Sequence, residues 1–168
     1  MKRYARLAAA TLAAALTLTG CAAPGSVDSD LLARMDGVMR QAAPGRAISL
    51  RLSSDQFRTG EPIAATVSAT GGGYVYLYQL GTEGRVLSMV FPNAIDGANY
   101  LAPGSAMVLP RPNWRMMARG PAGVGHLLAV VTDAPLDLLA LQGNTAQGKI
   151  DISGAYGAAM ATVREVAP

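Results

Sequence analysis

From residue 47 onward the chain alternates apolar and polar side chains with a period of two, and this pattern limits its fold more than any other feature. In the stretch ISLRL, the apolar residues Ile48, Leu50 and Leu52 fall on one face. Successive side chains of a strand point to opposite faces, so this period is typical of strands with one buried face. Short runs of this kind recur between turns rich in Gly, Pro, Asn and Asp. They predict a mainly β domain over residues 47–168, an antiparallel immunoglobulin-like β-sandwich.

Further strands are predicted along the same region, in the segments EPIAATVSAT, YVYLYQL, RVLSMVFP, AMVLP and GHLLAVVTD. Gly81 and Gly84 bracket a turn that suits a hairpin between the second and third of these segments. GHLLAVVTD is almost continuously apolar, which is typical of a strand buried on both faces. Near the end, APLDLLALQG predicts a helical turn, and GAYGAAMATVREV fits either a short C-terminal helix or a last strand.

A short N-terminal helix is predicted in SDLLARMDGVMRQ, followed by a linker that reaches residue 46. Leu31, Met35 and Val38 recur at helical spacing, and Ser29 is suited to the N-cap. Gly37 weakens this helix by about 1 kcal/mol relative to alanine. We assign residues 31–46 to helix and linker.

The first 20 residues have the layout of a secretory signal peptide. Three basic residues precede an uncharged Ala/Leu/Thr run, Leu7 to Leu18, and a site of small residues follows. This run is shorter than the roughly 20 apolar residues of a transmembrane helix. We therefore expect an exported protein that does not span a membrane.

The chain's one cysteine, Cys21, comes directly after this leader. Leu18, Thr19, Gly20 and Cys21 resemble the lipobox of bacterial lipoproteins. The resemblance implies a diacylglycerol on the Cys21 thiol, cleavage just before Cys21, and a lipidated tether over residues 21–30. Ala22, rather than aspartate, follows the cysteine. In a Gram-negative cell this implies the outer membrane, with the domain at its periplasmic face and the membrane as a partner through the anchor.

The charge balance argues against a nucleic-acid partner. The chain has 14 basic and 11 acidic residues, and three of the basic residues lie in the leader. The remaining 11 basic residues equal the 11 acidic ones, so the exported part is formally neutral. A nucleic-acid-binding domain normally has a basic surplus.

The order of several short motifs resembles the DUF4384 family over roughly residues 48–137. The motifs are the turn Gly60-Glu61, the strand YVYL, a hairpin glycine, the end FPN and the entry GPAG to a late strand. The resemblance implies an accessory or interaction domain of envelope and multidomain proteins, and it carries no general biochemical activity. The chain departs from the pattern in two places, a bare GGG before the tyrosine strand and His126 in the late strand.

The inventory of reactive side chains predicts no catalytic residue, no metal site and no cofactor. Cys21 is assigned to the lipid, and His126 is the chain's one histidine. No Ser lies in a G-x-S-x-G elbow, and one histidine with scattered acids does not make a zinc site. We expect His126 to be a strand-end residue bonded to a backbone group. The acids considered as a catalytic pair all fall in or beside turns: Glu61, Glu83, Asp133 and Asp137.

Two features are candidates for partner binding. The first is the row Tyr74, Tyr76 and Tyr78 on one strand face, either exposed to a partner or buried under a neighbouring element. The second is the turn-rich segment from residue 92 to 123, with Trp114, Arg115 and Met116 among its residues. Trp, Met and Arg are enriched at interfaces. The alternative is that Trp114 closes the end of the sandwich while the arginines are solvated.

Together these observations predict a non-catalytic lipoprotein that docks an envelope protein or assembly. Three alternatives remain open at this point: a binder of peptidoglycan or other glycan, a hydrolase with a hidden carboxylate pair, and the small lipoprotein subunit of a secretion machine.

Overall fold

Two packed β-sheets and a layer of two helices make up the part of the chain that the computed structural model describes, residues 29–168. The predicted signal peptide, the lipobox-like motif with Cys21 and the predicted tether as far as residue 28 lie outside these residues. In chain order the elements are α1 (Ser29–Gln41), β1 (Ile48–Leu52), β2 (Phe57–Arg58), β3 (Ala65–Ala69), β4 (Gly73–Leu80), β5 (Leu87–Phe91), β6 (Tyr100–Leu101), β7 (Ala106–Leu109), β8 (Gly123–Thr132), α2 (Leu138–Ala146) and β9 (Tyr156–Val166).

The strands form a small and a large sheet. The small sheet has the order β1-β3-β7 and is antiparallel throughout. The large sheet has the order β2-β9-β8-β4-β5, with β6 paired to the start of β4. All its pairs are antiparallel except β2 and β9, which run parallel. The predicted mainly β sandwich is confirmed, with one parallel pair at an edge that the sequence pattern did not indicate.

The first core lies between the two sheets. Alternate residues of β3 and β4 supply it, among them Val67 and Leu77, both fully buried. This is the face that the period of two predicts. Ala129 on β8 and Leu109 on β7 complete the packing from the two sides.

A second core lies between the large sheet and the helices. Met35 of α1 and Leu141 of α2 pack on Tyr76, Tyr78 and other residues of the opposite face of the large sheet. Both faces of β8 are therefore covered, which explains its nearly continuous apolar sequence. The sandwich has three layers rather than two.

Helix α1 occupies Ser29–Gln41, the segment SDLLARMDGVMRQ in which the sequence predicts a helix, and it is joined to β9. The Tyr156 hydroxyl donates to the Val38 carbonyl at 3.1 Å, and the Ala43 N–H donates to the Tyr156 carbonyl at 2.8 Å. Segment 138–146 forms a helix of nine residues where the sequence indicated only a turn. The segment GAYGAAMATVREV, which fits either a helix or a strand by sequence, contains the strand β9. Within residues 29–168, neither helix has the length and apolar character needed to cross a membrane.

The GGG motif before β4 has a steric cause. Gly73 has φ +134°, and a Cβ at this position would overlap the carbonyl oxygen of Thr132 on the paired strand β8. Gly72 has φ +68°, and its Cβ would lie 2.8 Å from the Leu101 carbonyl oxygen. Only glycine allows this approach of backbone to backbone. Gly72 and Gly73 therefore allow the start of β4 to lie close to β6 and β8, whereas Gly71 has open space around it.

Candidate functional site

The loop after β5 is shaped by the FPN motif. The Asn93 side chain donates to the Val90 carbonyl at 3.0 Å and accepts from the backbone N–H groups of Ile95 and Asp96, each at 3.0 Å. An asparagine that bonds the backbone two and three residues on fixes a tight turn. The turn places Asp96 at the end of the sandwich.

Asp96 is a buried acceptor that holds the segment after β7. One carboxylate oxygen accepts from Arg111 Nη1 at 2.6 Å, and the other accepts from the Trp114 indole Nε1 at 2.9 Å. Asp96 is 5% exposed. Charge-assisted bonds of this kind are roughly twice as strong as neutral ones. They fix the loop that carries Trp114 and Arg115 on the rigid sheets.

Trp114 is half-buried and stacks on Phe91, the last residue of β5. The two rings are 5° from parallel, and their centroids are 6.4 Å apart. The Arg111 guanidinium lies 5.5 Å from the Phe91 ring centroid. Trp114 therefore closes the end of the sandwich, as one of the two sequence interpretations held. One edge of it also lines a groove.

This groove, which we call the β5 groove, has a volume of about 330 Å³ and lies beside the large sheet. One wall comes from β5 and the turn before it, and the other from the segment between β7 and β8. Val86 on the first wall is 66% exposed. The residues that line the β5 groove are Gln79, Gly81, Thr82, Val86, Ser88, Val90, Trp114, Arg115, Met116, Met117, Arg119, Gly120 and Glu165.

The exposed charge in the β5 groove is positive. Arg115 and Arg119 are exposed, and neither forms an ion pair within residues 29–168. Glu165, at the end of β9, also lines the groove, but it is 4% exposed and its carboxylate accepts from the Gly120 N–H at 2.6 Å. A ligand in the groove therefore meets two free guanidinium groups, apolar side chains and one carboxylate already bonded to the backbone.

The sequence-predicted trio of this segment is brought together here. Trp114, Arg115 and Met116 all line the groove, although Met116 is 4% exposed and belongs to the first core. The sequence did not predict the wall formed by β5. The period of two indicates that Val86 and Val90 lie on the same face, but it does not indicate which segment of the chain lies opposite them. Glu165 was missed because it comes from a strand far away in the sequence.

The tyrosine row is a correction to the candidate surface. Tyr76 and Tyr78 are fully buried beneath the helices, so the two are not available to a partner. Tyr74 is half-buried and meets the exposed Tyr100 edge-on, with centroids 5.3 Å apart. The alternative interpretation, that the row lies under a neighbouring element, is the one that the structure supports. In the second core the tyrosines pack among aliphatic side chains such as Met35, Leu128 and Leu141.

The Tyr78 hydroxyl of this second core and His126 Nδ1 on β8 are buried and have no hydrogen-bond partner among the described residues. By contrast, the Tyr76 hydroxyl accepts from the Leu136 N–H at 2.7 Å. Burial raises the pKa of Tyr78, with a smaller contribution from Tyr76. Burial lowers the pKa of His126, and the nearby Asp36 opposes that shift. The prediction that a backbone group bonds the His126 side chain is therefore wrong for Nδ1.

Three of the four acids considered as a catalytic pair have separate partners. Asp137 caps α2 by accepting from the N–H groups of Leu139 and Ala140, Asp133 pairs with Arg46, and Glu61 accepts from the Arg58 N–H. Each of these three carboxylates therefore stabilises the turn or helix end in which it lies. Within residues 29–168 no three His, Cys, Asp or Glu side chains are grouped as metal ligands.

Residues 56–135 match the DUF4384 family, a domain of unknown function. A DUF4384 domain is thus found in this part of the chain, as the motifs predicted. Two solved structures are similar to the chain. One is the sulfur carrier protein SoxY from Chlorobium limicola f. thiosulfatophilum, with 14% identity over 80% of this chain and 97% of that chain and a TM-score of 0.44. The other is the sporulation control protein Spo0M from Bacillus subtilis, with 11% identity over 75% of this chain and 51% of that chain and a TM-score of 0.42. No curated protein matches the chain.

Proposed function

We propose that this protein is a non-catalytic docking module of the cell envelope, anchored in the outer membrane by a lipid on Cys21. In this proposal the domain faces the periplasm and receives an envelope protein or assembly in the β5 groove. The observation that carries the proposal is the groove itself, where a buried carboxylate fixes Trp114 beside two exposed arginines that form no ion pair with any described residue. Aromatic and arginine side chains on a rigid scaffold are typical of binding surfaces.

The anchor and location rest on the leader sequence. A basic start, a short apolar run and a lipobox-like motif precede a tether of small and polar residues, of which AAPGSVD lies between Cys21 and α1. At about 3.3 Å per residue, these seven residues span at most about 23 Å. The tether would hold the domain close to the bilayer. More than one acyl chain makes such attachment effectively permanent.

The anchor is tested by fractionating cells that express the wild type or Cys21→Ser. We expect the wild type in the outer membrane and Cys21→Ser in the soluble fraction or as uncleaved precursor. Equal distribution of the two proteins would contradict the lipid anchor. This outcome would not decide the docking test below, because docking is measured by crosslinking from the β5 groove.

Docking is tested by placing a photo-crosslinking residue in the full-length protein in cells. One position is Val86, on the groove wall, and the control position is Val108, which is 57% exposed on β7 of the other sheet. We expect Val86, but not Val108, to capture one defined envelope protein. Arg115→Glu should abolish that crosslink, whereas Arg51→Glu, the same charge reversal at an exposed residue of β1, should preserve it.

Other outcomes of this experiment favour the alternatives. Cell-wall fragments at Val86 would support glycan binding and overturn the docking of a protein. One observation already counts against glycan stacking: Phe91 covers one face of Trp114, and Tyr76 and Tyr78 are buried. A component of a secretion machine captured at Val86 would identify the protein as that machine's lipoprotein. No capture, or equal capture from Val108, would contradict the proposal.

A further inference from the structure

Strand β5 is the edge of the large sheet, and it borders the β5 groove. It pairs with β4 on one side, and no other strand within residues 29–168 pairs with its outer side. At its end, the Val90 carbonyl is taken by the Asn93 side chain. An unpaired edge presents backbone N–H and C=O groups on which another strand can add.

The edge is only partly protected against such addition. Natural edge strands are protected by charged side chains, prolines, extreme shortness, β-bulges or a covering helix. The register of β5 against β4 shifts between Leu77 and Tyr78, and α2 lies close to β5. β5 has the sequence LSMVF, with neither a charge nor a proline. Two other edges carry charge: β1 has Arg51, and β2 has only two residues, one of them Arg58. β7 and β5 are each followed at once by a proline, Pro110 and Pro92.

The charges beside this edge specify what can add to it. Arg115 and Arg119 stand exposed on the opposite wall, and no carboxylate within residues 29–168 forms an ion pair with either one. A basic strand would meet repulsion here, and an acidic side chain would gain a charge-assisted bond. Val86 and the edge of Trp114 offer apolar contacts to the alternate side chains of the same strand.

We propose that the β5 groove binds an extended peptide segment that adds as a strand to β5 and carries at least one acidic side chain, which pairs with Arg115 or Arg119. The inference rests on the proposed docking function and names the kind of segment that the partner supplies. Backbone hydrogen bonds to β5 provide affinity, and the alternate side chains provide specificity, as in other cases of strand addition. A volume of about 330 Å³ admits the side chains of a few residues, so the recognised segment is short.

The test is a selection of random dodecapeptides on the full-length protein in lipid nanodiscs. We expect enriched peptides with alternating apolar residues and an Asp or Glu at a fixed place. Arg115→Glu together with Arg119→Glu should weaken their binding by about tenfold or more, which corresponds to about 1.4 kcal/mol. The control Arg51→Glu should leave affinity unchanged.

Backbone methylation of a selected peptide separates strand addition from other modes. Alternate N–H groups of an added strand face β5, and the intervening ones face solvent. N-methylation of one alternate set should therefore abolish binding, and N-methylation of the other should preserve it. Equal sensitivity of the two sets would overturn strand addition.

Three further outcomes would overturn the inference: no enrichment of any peptide, enrichment of peptides without acidic residues, or binding that the arginine variants do not affect. The proposed function is scored separately by crosslinking from Val86. If Val86 captures a defined partner through a helical or uncharged segment of that partner, the docking function is supported and the addition of an acidic strand to β5 is refuted. Loss of capture at Val86 would refute docking itself.

Discussion

Tyr76 and Tyr78 make a matched pair that tests the account of the second core. Both lie on the same face of β4 and both are fully buried. The Tyr76 hydroxyl accepts from the Leu136 N–H at 2.7 Å, whereas the Tyr78 hydroxyl has no partner within residues 29–168. Replacing each by phenylalanine removes one oxygen and little else. The two substitutions should therefore change the free energy of unfolding in opposite directions.

The expected magnitudes follow from the cost of hydrogen bonds made and unmade. Tyr76→Phe removes a hydrogen bond of about 1 kcal/mol and leaves the Leu136 N–H without that acceptor. Tyr78→Phe removes a buried hydroxyl whose lack of a partner costs about 1–3 kcal/mol. We expect Tyr76→Phe to lower the free energy of unfolding by about 1 kcal/mol and Tyr78→Phe to raise it by about 1 kcal/mol or more.

The assay is equilibrium unfolding in urea, followed by circular dichroism and by fluorescence of the one tryptophan, Trp114. A shift of the midpoint at constant slope reports a change in stability. The reasoning is refuted if Tyr78→Phe destabilises the protein as much as Tyr76→Phe does. That result would mean that the Tyr78 hydroxyl has a partner which the geometry does not show.

Alkaline pH gives an independent check on the same residue. Burial raises the pKa of Tyr78 in the folded state. Above the ordinary tyrosine pKa of about 10, the unfolded chain loses the proton and the folded chain keeps it. Stability should therefore fall as the pH rises past about 10, and Tyr78→Phe should make this fall less steep. An unchanged slope would contradict the desolvation of this hydroxyl.

Three further predictions concern other parts of the fold. Burial lowers the pKa of His126 in the folded state, so the unfolded chain binds the proton first as the pH falls through about 6.5. The free energy of unfolding should therefore fall as the pH falls through this range. His126→Gln should make its dependence on pH less steep. Gly37→Ala should raise the free energy of unfolding by about 1 kcal/mol, since no atom lies closer than 3.8 Å to the added Cβ, whereas Gly73→Ala, with φ +134°, should lower it by about 2 kcal/mol or more in the same urea assay. Asp96→Ala should lower the free energy of unfolding by about 2 kcal/mol, because the Trp114 indole loses its acceptor. The Trp114 fluorescence emission should also shift to the red. An unshifted emission would show that other contacts hold the loop.

The strands could be read from the sequence because their signals are local. The period of two, the glycines at Gly81 and Gly84 and the stop at Pro110 each act within a few residues. The helix α2 was underestimated because its face is weakly amphipathic, with Leu141 and Thr145 as its buried residues. Its better signal was Asp137, which fits an N-cap and was considered as a catalytic acid instead.

What the sequence could not supply is the third layer. Period two shows that Tyr76 and Tyr78 share a face, but the cover over that face comes from α1 and α2, which precede and follow the strands in the chain. The candidate site was likewise predictable only in part. Trp114 and Arg115 were predicted from residue type in a turn-rich segment, whereas the wall at Val86 depends on which strand ends the sheet.

The position of β9 has a consequence for how the domain can be divided. The DUF4384 match ends at residue 135, but β9, at Tyr156–Val166, lies inside the large sheet between β2 and β8. An excised fragment of residues 56–135 would lose that neighbour and leave the long apolar strand β8 with an open edge, which is a template for aggregation. We therefore expect that the matched segment does not fold on its own. A destabilising change at Glu165 in β9 should reach its partner Phe57 in β2, more than a hundred positions earlier in the chain.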